Sequence, residues 1–455
     1  MGKPAPQVGS EVLLTDLYEV TMALAYLTEG MTDDATFSLF VREVPPDRGF
    51  LVAAGVESVL DYLSRLNVDD AVVAGFAAAL GRSPGELAPL RGLRFTGDVW
   101  AIPEGRIALP DEPLLEITAP LPQAQLVETY VLNQISHQTA LASKAARCVL
   151  AARGRPVVDF ALRRCHGLDA GMHAARAGAV VGFAATSNVA ASGRYGLPAT
   201  GTMAHSFVEA FGAERDAFQV FVRNTRGPVT LLVDTYDTAH GVHLAAEILA
   251  AINDERPIGI RLDSGDLAEL AVRARQILDG AGLKRARIVV SGGLDEYDID
   301  ALVATDAPVD VYAVGTRVGT SADAPYLDTA YKLVEYAGRP IMKLSPGKAT
   351  TPGPKQVFRG RGLDDVIACR DEDTPPDAEP LLEAVMVAGQ RVEAQLEPAE
   401  AVAAARQRFE LDLATTPPAS RRIRQPVVRR PRRSEALTRL TQQVRTALTQ
   451  HASLD

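Results

Sequence analysis

The chain has 455 residues, of which 47% are hydrophobic and 23% are charged, and its formal net charge is -10. The length allows two or three domains, and the composition is typical of a soluble globular protein. The acidic balance argues against a nucleic-acid binder, whose domain is normally basic, but a local cationic pocket can still bind a small phosphorylated substrate.

Cysteine content and the N-terminus exclude several further classes. Cys148, Cys165 and Cys369 are widely spaced and form no Cys-x-x-Cys pair, which excludes a disulfide framework or a structural zinc site and favours a reduced, cytoplasmic setting. The first residues, MGKPAPQVGS, have no apolar signal core, and Pro6 departs from the myristoylation pattern. No apolar run approaches about 18 residues, so we expect no membrane span.

The N-terminal third predicts a mixed α/β subdomain. Residues 12–29 have helical spacing, with Thr15 or Asp16 as the N-cap, and 35–44 alternate like a half-buried strand. Further helices are predicted over 50–80 and 124–152, and the Pro- and Gly-punctuated stretch 97–122 predicts antiparallel strands.

The middle of the chain predicts a parallel sheet. Short apolar runs begin at 157, 179, 229, 258, 287 and 309, and most are separated by helical segments such as HLAAEILAAI and LAELAVRARQILDGAG. Continuous apolar strands that alternate with helices indicate a parallel sheet covered on both faces. We expect it to close as a barrel, because polar residues concentrate just after the strands.

Beyond residue 340 the alternating pattern fades. Residues 345–362 are basic and loop-like, and 371–380 form an acidic, Pro-rich loop or linker. Residues 421–433 hold seven arginines and no acidic residue. A solvated surface or tail is the favoured interpretation of that segment, and a phosphate or partner site is the alternative.

Polar side chains follow the predicted strands, where a parallel barrel places its active site. Taken singly, each is ordinary: an Asp caps a helix, a Gly pair makes a turn, and a lone His is usually structural. Together they converge on one rim: Arg163, Arg164, Thr186, Ser187, Asn188, His205, Asp234, Arg261, Asp263, Ser291, Gly292, Gly293, Gly315 and Thr316.

This set predicts an anionic, phosphorylated substrate. The late Gly-rich turns expose amides that suit a phosphate. Asp234 and Asp263 suit Mg²⁺ or ribose hydroxyls, and Arg163 and Arg261 can hold a carboxylate or phosphate in bidentate fashion.

Eight segments in this order carry a family resemblance: LLTDLYEVTMA, DFALRR, ATSNVAAS, GTMAHSFV, LLVDTYDT, IRLDSGDL, SGGLDE and AVGT. They resemble the nicotinate phosphoribosyltransferase family, which has the type II phosphoribosyltransferase fold, from about residue 11 to 350; residues 342–359 resemble its next segment. The resemblance implies an irregular parallel α/β barrel over 131–345, joined to an α/β sandwich built from segments 1–130 and 346–455.

The same resemblance implies the reaction and its partners. Nicotinate and 5-phosphoribosyl 1-diphosphate would give nicotinate mononucleotide and diphosphate, with Mg²⁺ and coupled ATP hydrolysis, as the first step of nicotinate salvage to NAD. The enzyme would be a homodimer with active sites at the subunit interface, and it would bind neither nucleic acid nor membrane.

Family positions assign the pyridine site. Asp16 and Tyr18 resemble residues that reach into the neighbouring subunit's site, where the tyrosine ring stacks on the pyridine. Phe160 would cover the other face, and Arg261 would bind the nicotinate carboxylate. The related nicotinamide enzyme has an acidic residue where this chain has Ser187, and serine removes repulsion of the acid substrate.

The remaining family positions concern phosphate and ATP. Arg163 resembles the arginine that contacts the sugar phosphate, and Asp234 and Asp263 would meet the ribose and the Mg²⁺–diphosphate, through the diphosphate or water. His205 matches the histidine that ATP phosphorylates. The 5-phosphate site would comprise Ser291, Gly292, Gly293, Gly315 and Thr316.

Three other functions fit part of the pattern. A phosphoribosyltransferase for nicotinamide or quinolinate is one; quinolinate would need a second cationic clamp and release of CO₂. A sugar-phosphate lyase or aldolase usually needs a strand-end lysine, which these strand ends do not supply. A non-catalytic pyridine-nucleotide sensor would not need His205, Arg261 and Asp263.

Overall fold

The computed structural model describes residues 10–252, 255–345 and 350–451. Pro6 and positions 346–349 of the resembling segment 342–359 lie outside these ranges. The strands are β1 Asp34–Val41, β2 Leu51–Val52, β3 Asp98–Ala101, β4 Ile107–Ala108, β5 Pro113–Pro120, β6 Val157–Asp159, β7 Ala185–Thr186, β8 Val229–Leu232, β9 Ile258–Leu262, β10 Arg287–Val290, β11 Val311–Val314, β12 Thr329–Tyr336, β13 Arg339–Pro340, β14 Lys355–Arg359, β15 Val366–Cys369, β16 Glu379–Pro380, β17 Glu383–Val387, β18 Gln390–Arg391 and β19 Arg432–Arg433.

The α-helices lie between these strands and cover their faces. They are α1 Leu17–Thr28, α2 Val56–Arg65, α3 Asp70–Leu80, α4 Leu121–Leu126, α5 Glu128–Ala152, α6 Leu168–Val180, α7 Val189–Tyr195, α8 His205–Ala210, α9 Glu214–Asn224, α10 Thr238–Ala250, α11 Leu267–Gly280, α12 Glu296–Ala304, α13 Thr316–Gly319, α14 Pro398–Thr415 and α15 Glu435–His451. Among the described residues, no helix is both long and apolar enough to cross a membrane.

An antiparallel sheet forms the centre of the sandwich. Its seven strands have the order β13-β12-β1-β5-β3-β17-β18, so N-terminal and C-terminal segments share one sheet, as predicted. β1 and β5 are buried along most of their length, and Phe37 and Leu39 of β1 belong to one large apolar core with α1, α2 and α3. The strands at 329–340 also pair here; the boundaries at 130 and 345 stay a prediction.

The second sheet is the predicted parallel one. Its six strands have the order β7-β6-β11-β10-β9-β8, and the edge strands β7 and β8 do not pair with each other. The curled sheet is therefore an irregular half-barrel of the predicted parallel α/β type. β9 is buried over its whole length, and its Ile258, Ile260 and Leu262 pack in one large apolar core with helices α10 and α11. All six carboxyl ends therefore point to the same rim.

The strand predicted from the apolar run at 179 is wrong in position. Helix α6 extends to Val180, and the strand is only Ala185–Thr186. Small residues make the helix possible here, because Gly178 lies against the ring of Phe183 and leaves no room for a side chain. Gly182, at φ 100°, then turns the chain toward the sheet.

Two of the predicted helices differ from the observed ones, the first at its start and the second by a break. The segment 12–29 begins with a short 3-10 turn over Glu11–Leu13, and α1 starts after Asp16, which takes the N-cap position. The helix predicted over 124–152 is divided at Val127 into α4 and α5, and it ends at Arg153 in the left-handed region.

The arginine-rich segment is exposed, but it is attached to the domain surfaces. β19 pairs in parallel with β15, Arg432 contacts Asp364 at 3.1 Å, and Arg430 contacts Glu43 at 2.5 Å. The guanidinium of Arg424 lies 4.8 Å from the ring centre of Tyr297. The segment is therefore a surface element with specific contacts rather than a free tail.

Candidate active site

A cavity of about 410 Å³ opens at the carboxyl ends of the parallel strands. Six of the predicted site residues line it together with residues from the loop before α8. The full lining is Phe160, Leu162, Arg163, Ser187, Gly201, Thr202, Met203, Ala204, His205, Leu232, Arg261 and Asp263. Residues that are up to 103 positions apart in the chain thus meet because their strands end at one rim.

Arg261 is held rigidly at the end of β9. Its Nε donates to Ser291 Oγ at 2.7 Å, and its Nη1 donates to Thr202 Oγ1 at 3.0 Å. Nη1 also donates to the Met203 carbonyl oxygen at 3.4 Å, and Nη2 donates to Asp263 Oδ1 at 2.5 Å. Four of the five N–H groups of a guanidinium are thereby used, and one is left for a ligand.

The same guanidinium lies close to an aromatic ring. The central carbon of Arg261 is 5.6 Å from the ring centre of Phe160, a cation–π distance. The positive charge of Arg261 and the ring of Phe160 therefore border the same part of the cavity. This geometry suits an aromatic acid.

Asp263 is the centre of the polar network. Its Oδ1 accepts from Ser291 Oγ at 2.5 Å as well as from Arg261. Burial acts to raise the pKa of Asp263, but the Ser291 hydrogen bond and the Arg261 charge outweigh it and hold this pKa below its ordinary value. The carboxylate is therefore ionised at neutral pH.

Asp234 lies beside Asp263 with one oxygen free. Its Oδ2 accepts from the Asp263 backbone amide at 2.9 Å and from Ser264 Oγ at 2.7 Å. Its Oδ1 is buried and, within the described residues, has no hydrogen-bond partner. A buried carboxylate oxygen without a donor fits a cation. The described residues contain no cluster of three or more His, Cys, Asp or Glu side chains that could hold a metal alone.

His205 begins α8 and faces this network. Its Nδ1 is 3.2 Å from Thr235 Oγ1, and its Nε2 is 3.8 Å from Asp263 Oδ2. The imidazole is about 40% exposed, so a ligand in the cavity can reach it. Because the contact with Thr235 holds Nδ1 in place, Nε2 on the other side of the ring points toward Asp263.

The two Gly-rich turns flank the cavity instead of lining it. A Cβ on Gly292 would lie 1.9 Å from the Asp263 carbonyl oxygen, so only glycine fits, and the φ of 100° also requires it. Within the described residues, the backbone amides of Gly292, Gly293, Gly315 and Thr316 donate to no protein acceptor. Both Gly292 and Thr316 are exposed.

Several residues of the site were not singled out by sequence reasoning. Thr202 and Thr235 orient Arg261 and His205, and both lie within the quoted strand-end segments. Asp159, which is 2% exposed, accepts from Thr186 Oγ1 at 2.6 Å and from the Ala161 amide at 2.9 Å. Burial raises the pKa of Asp159. Only its position at the end of the first strand could have indicated it.

Asp16 and Tyr18 lie in the sandwich and do not line the cavity of their own chain. The Asp16 amide donates to Thr129 Oγ1 at 3.2 Å, and Tyr18 is about half exposed. Beneath them, the fully buried Glu19 accepts from Thr129 Oγ1 and from Thr15 Oγ1. The segment is thus rigid and presents Tyr18 outward.

Glu19→Gln is expected to flatten the dependence of stability on pH. Burial raises the pKa of Glu19 from 4.5 to about 7, although its threonine hydrogen bonds oppose the rise. In the native protein the charged form is disfavoured, so the free energy of unfolding falls as pH rises from about 4.5 to 7, by about 3 kcal/mol. Urea denaturation at pH 5 and pH 8 measures this.

The exposed Glu29 at the end of the same helix provides the control. Glu29→Gln should keep the wild-type pH profile, whereas Glu19→Gln should be more stable than wild type at pH 8. An equal difference between Glu19→Gln and wild type at both pH values would contradict the prediction.

Sequence and structure comparisons identify the family of the chain. Residues 13–136 match the nicotinate phosphoribosyltransferase (NAPRTase) N-terminal domain, and residues 156–359 match the NAPRTase family. The chain is 49% identical to nicotinate phosphoribosyltransferase pncB2 of Mycobacterium tuberculosis over 387 aligned residues. The alignment covers 84% of this chain and 82% of that protein.

Two further relatives extend the match. Nicotinate phosphoribosyltransferase of Bacillus subtilis is 41% identical over 76% of this chain and 72% of its own length. The crystal structure of human nicotinic acid phosphoribosyltransferase superposes with a TM-score of 0.82 at 29% identity, covering 94% of this chain and 99% of that chain. The predicted family and fold are confirmed: the chain belongs to the nicotinate phosphoribosyltransferase family.

Proposed function

We propose that the cavity at the barrel rim is the active site in which this chain joins nicotinate to 5-phosphoribosyl 1-diphosphate, giving nicotinate mononucleotide and diphosphate. One observation carries the proposal. An immobilised guanidinium and the carboxylate of Asp263 line one cavity, and the carboxylate of Asp234 and two turns with free amides lie beside it. These groups match, respectively, a pyridine carboxylate, a cation with ribose, and a phosphate.

Nicotinate is oriented by three side chains. Its ring stacks on Phe160, and its carboxylate meets the remaining N–H of Arg261. Aromatic stacking contributes about 0.5–1.5 kcal/mol beyond area burial. Ser187 lies on the same cavity wall and adds no charge. The ring nitrogen is thereby directed toward the ribose, which removes part of the entropic barrier to attack.

The phosphoribosyl donor spans the rim. Free amides at Gly292, Gly293, Gly315 and Thr316, with Ser291 beside them, bind the 5-phosphate, and Arg163 adds charge. Asp234 Oδ1 and Asp263 Oδ2 would hold Mg²⁺ together with diphosphate oxygens, and Mg²⁺ supplies stabilisation of the departing diphosphate. The new bond joins the ring nitrogen to C1 of the ribose, and the C1–diphosphate bond breaks.

ATP coupling is proposed at His205. When Nδ1–H donates to Thr235 Oγ1, the lone pair of Nε2 points into the cavity and can attack the γ-phosphorus of ATP. An N–P bond then forms, the bond to ADP breaks, and later hydrolysis releases phosphate. The phosphorylated ring places negative charge beside Asp263 and so alters the affinity for diphosphate.

The cavity is completed by a second copy of the chain. Asp16 and Tyr18 do not reach the cavity of their own chain, and Tyr18 is presented outward on a rigid segment. In a homodimer they would cover the free face of the pyridine. Sedimentation with and without nicotinate tests this arrangement.

A cytoplasmic location is also proposed. Cys148, Cys165 and Cys369 are free thiols, as expected in a reducing compartment. Fractionation of the source cells tests it.

The activity is tested by incubating the purified chain with 5-phosphoribosyl 1-diphosphate, Mg²⁺ and either nicotinate, nicotinamide or quinolinate, with and without ATP. Formation of nicotinate mononucleotide from nicotinate, without CO₂, is the expected result. If only nicotinamide gives a product, or if quinolinate gives CO₂, that acceptor would replace nicotinate as the proposed substrate. If no acceptor gives a product, a non-catalytic sensor would be favoured.

Ser187→Asp is expected to lower kcat/KM for nicotinate by about 10-fold or more. A carboxylate on the cavity wall would repel the substrate carboxylate, and like charges about 4 Å apart cost about 1 kcal/mol in water and more near a protein surface. Ser187→Asn is the matched control, because asparagine has the shape of aspartate without its charge. Equal losses in both variants would show that size, not charge, matters at this position.

A further inference from the structure

The two Gly-rich turns belong to separate strands, and they are joined by one side chain. Gly292–Gly293 follow β10 and lead into α12, while Gly315–Thr316 follow β11 and lead into α13. Arg317, which follows the second turn directly in α13, donates from Nη1 to Asp295 Oδ2 at 2.9 Å and to Asp298 Oδ2 at 2.8 Å. Both acceptors lie at the start of α12, so the contact crosses from one turn to the other.

The acceptors of Arg317 are themselves fixed. Asp295 caps α12, because its Oδ1 accepts from the amides of Tyr297 at 2.9 Å and Asp298 at 3.3 Å. Asp298 Oδ2 in turn accepts from the Asp295 amide at 3.0 Å. This reciprocal capping box leaves Asp295 Oδ2 for Arg317. The guanidinium therefore grips a rigid helix start.

A buried ion network supports both turns from the inner side. Lys144 contacts Glu296 Oε2 at 2.5 Å and Asp323 Oδ1 at 3.0 Å, so it also links α12 to the segment after α13. Arg147 contacts Glu296, and Arg48 contacts Asp323. Lys144 and Glu296 are almost fully buried, and removal of either would leave an unpaired buried charge. Arg317 is the outer, half-exposed part of the connection.

We propose that Arg317 is a positioning residue that sets the separation of the two amide-bearing turns, and thereby the affinity for the 5-phosphate of the phosphoribosyl donor. This inference rests on the proposed phosphate site. A cradle made of two turns works only when their amides reach the same phosphate oxygens. A misplacement of about 1 Å in such a site can cost up to about 100-fold in rate.

The first test is Arg317→Gln. We expect KM for 5-phosphoribosyl 1-diphosphate and Kd for ribose 5-phosphate, measured by calorimetry, to rise about 10-fold, with KM for nicotinate within about twofold of wild type. Arg406→Gln is the matched control, because Arg406 has a similar exposure and pairs with Glu410 at 2.9 Å on α14, outside the cavity. Arg406→Gln should leave KM for 5-phosphoribosyl 1-diphosphate and Kd for ribose 5-phosphate unchanged.

A double-mutant cycle separates positioning from direct contact with phosphate. Asp298→Asn keeps an oxygen for the capping box but weakens the link to Arg317. If Arg317 acts through α12, Asp298→Asn raises Kd for ribose 5-phosphate, and adding it to Arg317→Gln has little further effect. If Arg317 binds the phosphate itself, Asp298→Asn leaves Kd unchanged or lowers it, which would overturn the proposal.

The remaining outcomes are also decisive. Unchanged constants in Arg317→Gln would overturn the inference, as would an equal rise in KM for both substrates together with a lowered Tm, since that indicates general loss of structure. Calorimetry with ribose 5-phosphate needs no turnover. Absence of wild-type turnover would therefore reject the proposed function, while the binding measurements would still decide the role of Arg317.

Discussion

His205→Ala is expected to abolish phosphorylation of the protein by ATP. Incubation of wild type with ATP labelled at the γ-phosphate should give acid-labile, base-stable phosphate on the chain, whereas the variant should show only background label. ATP-dependent stimulation should be lost as well, because deleting a nucleophile costs roughly 10³-fold or more in the step that it carries out. Synthesis of nicotinate mononucleotide without ATP should persist.

The structural reason is that His205 is the one histidine among the described cavity-lining residues. Thr235 holds Nδ1 at 3.2 Å, so Nε2 is directed toward the cavity and Asp263. His243→Ala, at an exposed position on α10, is the control and should label like wild type. If the His205→Ala variant is still labelled, the proposed role of His205 as the phosphoryl acceptor would be contradicted.

Asp263→Asn is expected to lower kcat/KM for nicotinate mononucleotide synthesis by about 10²–10³-fold, the scale on which enzymes depend on one preorganised charged group. The carboxylate accepts from Arg261 and Ser291 through Oδ1 and presents Oδ2 to the cavity. An amide can accept but carries no charge for Mg²⁺, so the Mg²⁺ concentration for half-maximal rate should also rise.

A surface pair provides the control for Asp263→Asn. Asp279 pairs with Arg275 at 2.9 Å on α11, and Asp279→Asn removes the same charge away from the cavity. Its kinetic constants should match wild type. If kcat/KM falls in Asp263→Asn while the Mg²⁺ requirement is unchanged, a role of Asp263 in metal binding would be contradicted. A Tm below that of wild type would attribute the fall in kcat/KM to impaired folding.

Much of the site was predictable because parallel strands have one polarity. Arg163, Ser187 and Asp263 follow a strand, Arg261 lies near the end of β9, and His205 begins α8. The topology then brings every such position to one rim. The order of the eight quoted segments was also sufficient to predict the family. The run at 179 failed because an alanine- and glycine-rich stretch packs equally well as a buried helix, and periodicity does not separate the two.

The chain sequence by itself therefore determined the family, the two-part architecture and which residue types occupy the rim, since these follow from local patterns and from strand direction. Only the tertiary structure decided how those residues are held. Thr202 and Ser291 immobilise Arg261, and Arg317 links the two Gly-rich turns, through contacts between residues that are 19 to 59 positions apart. Such pairings depend on the paths of the intervening loops and helices, which no local pattern specifies.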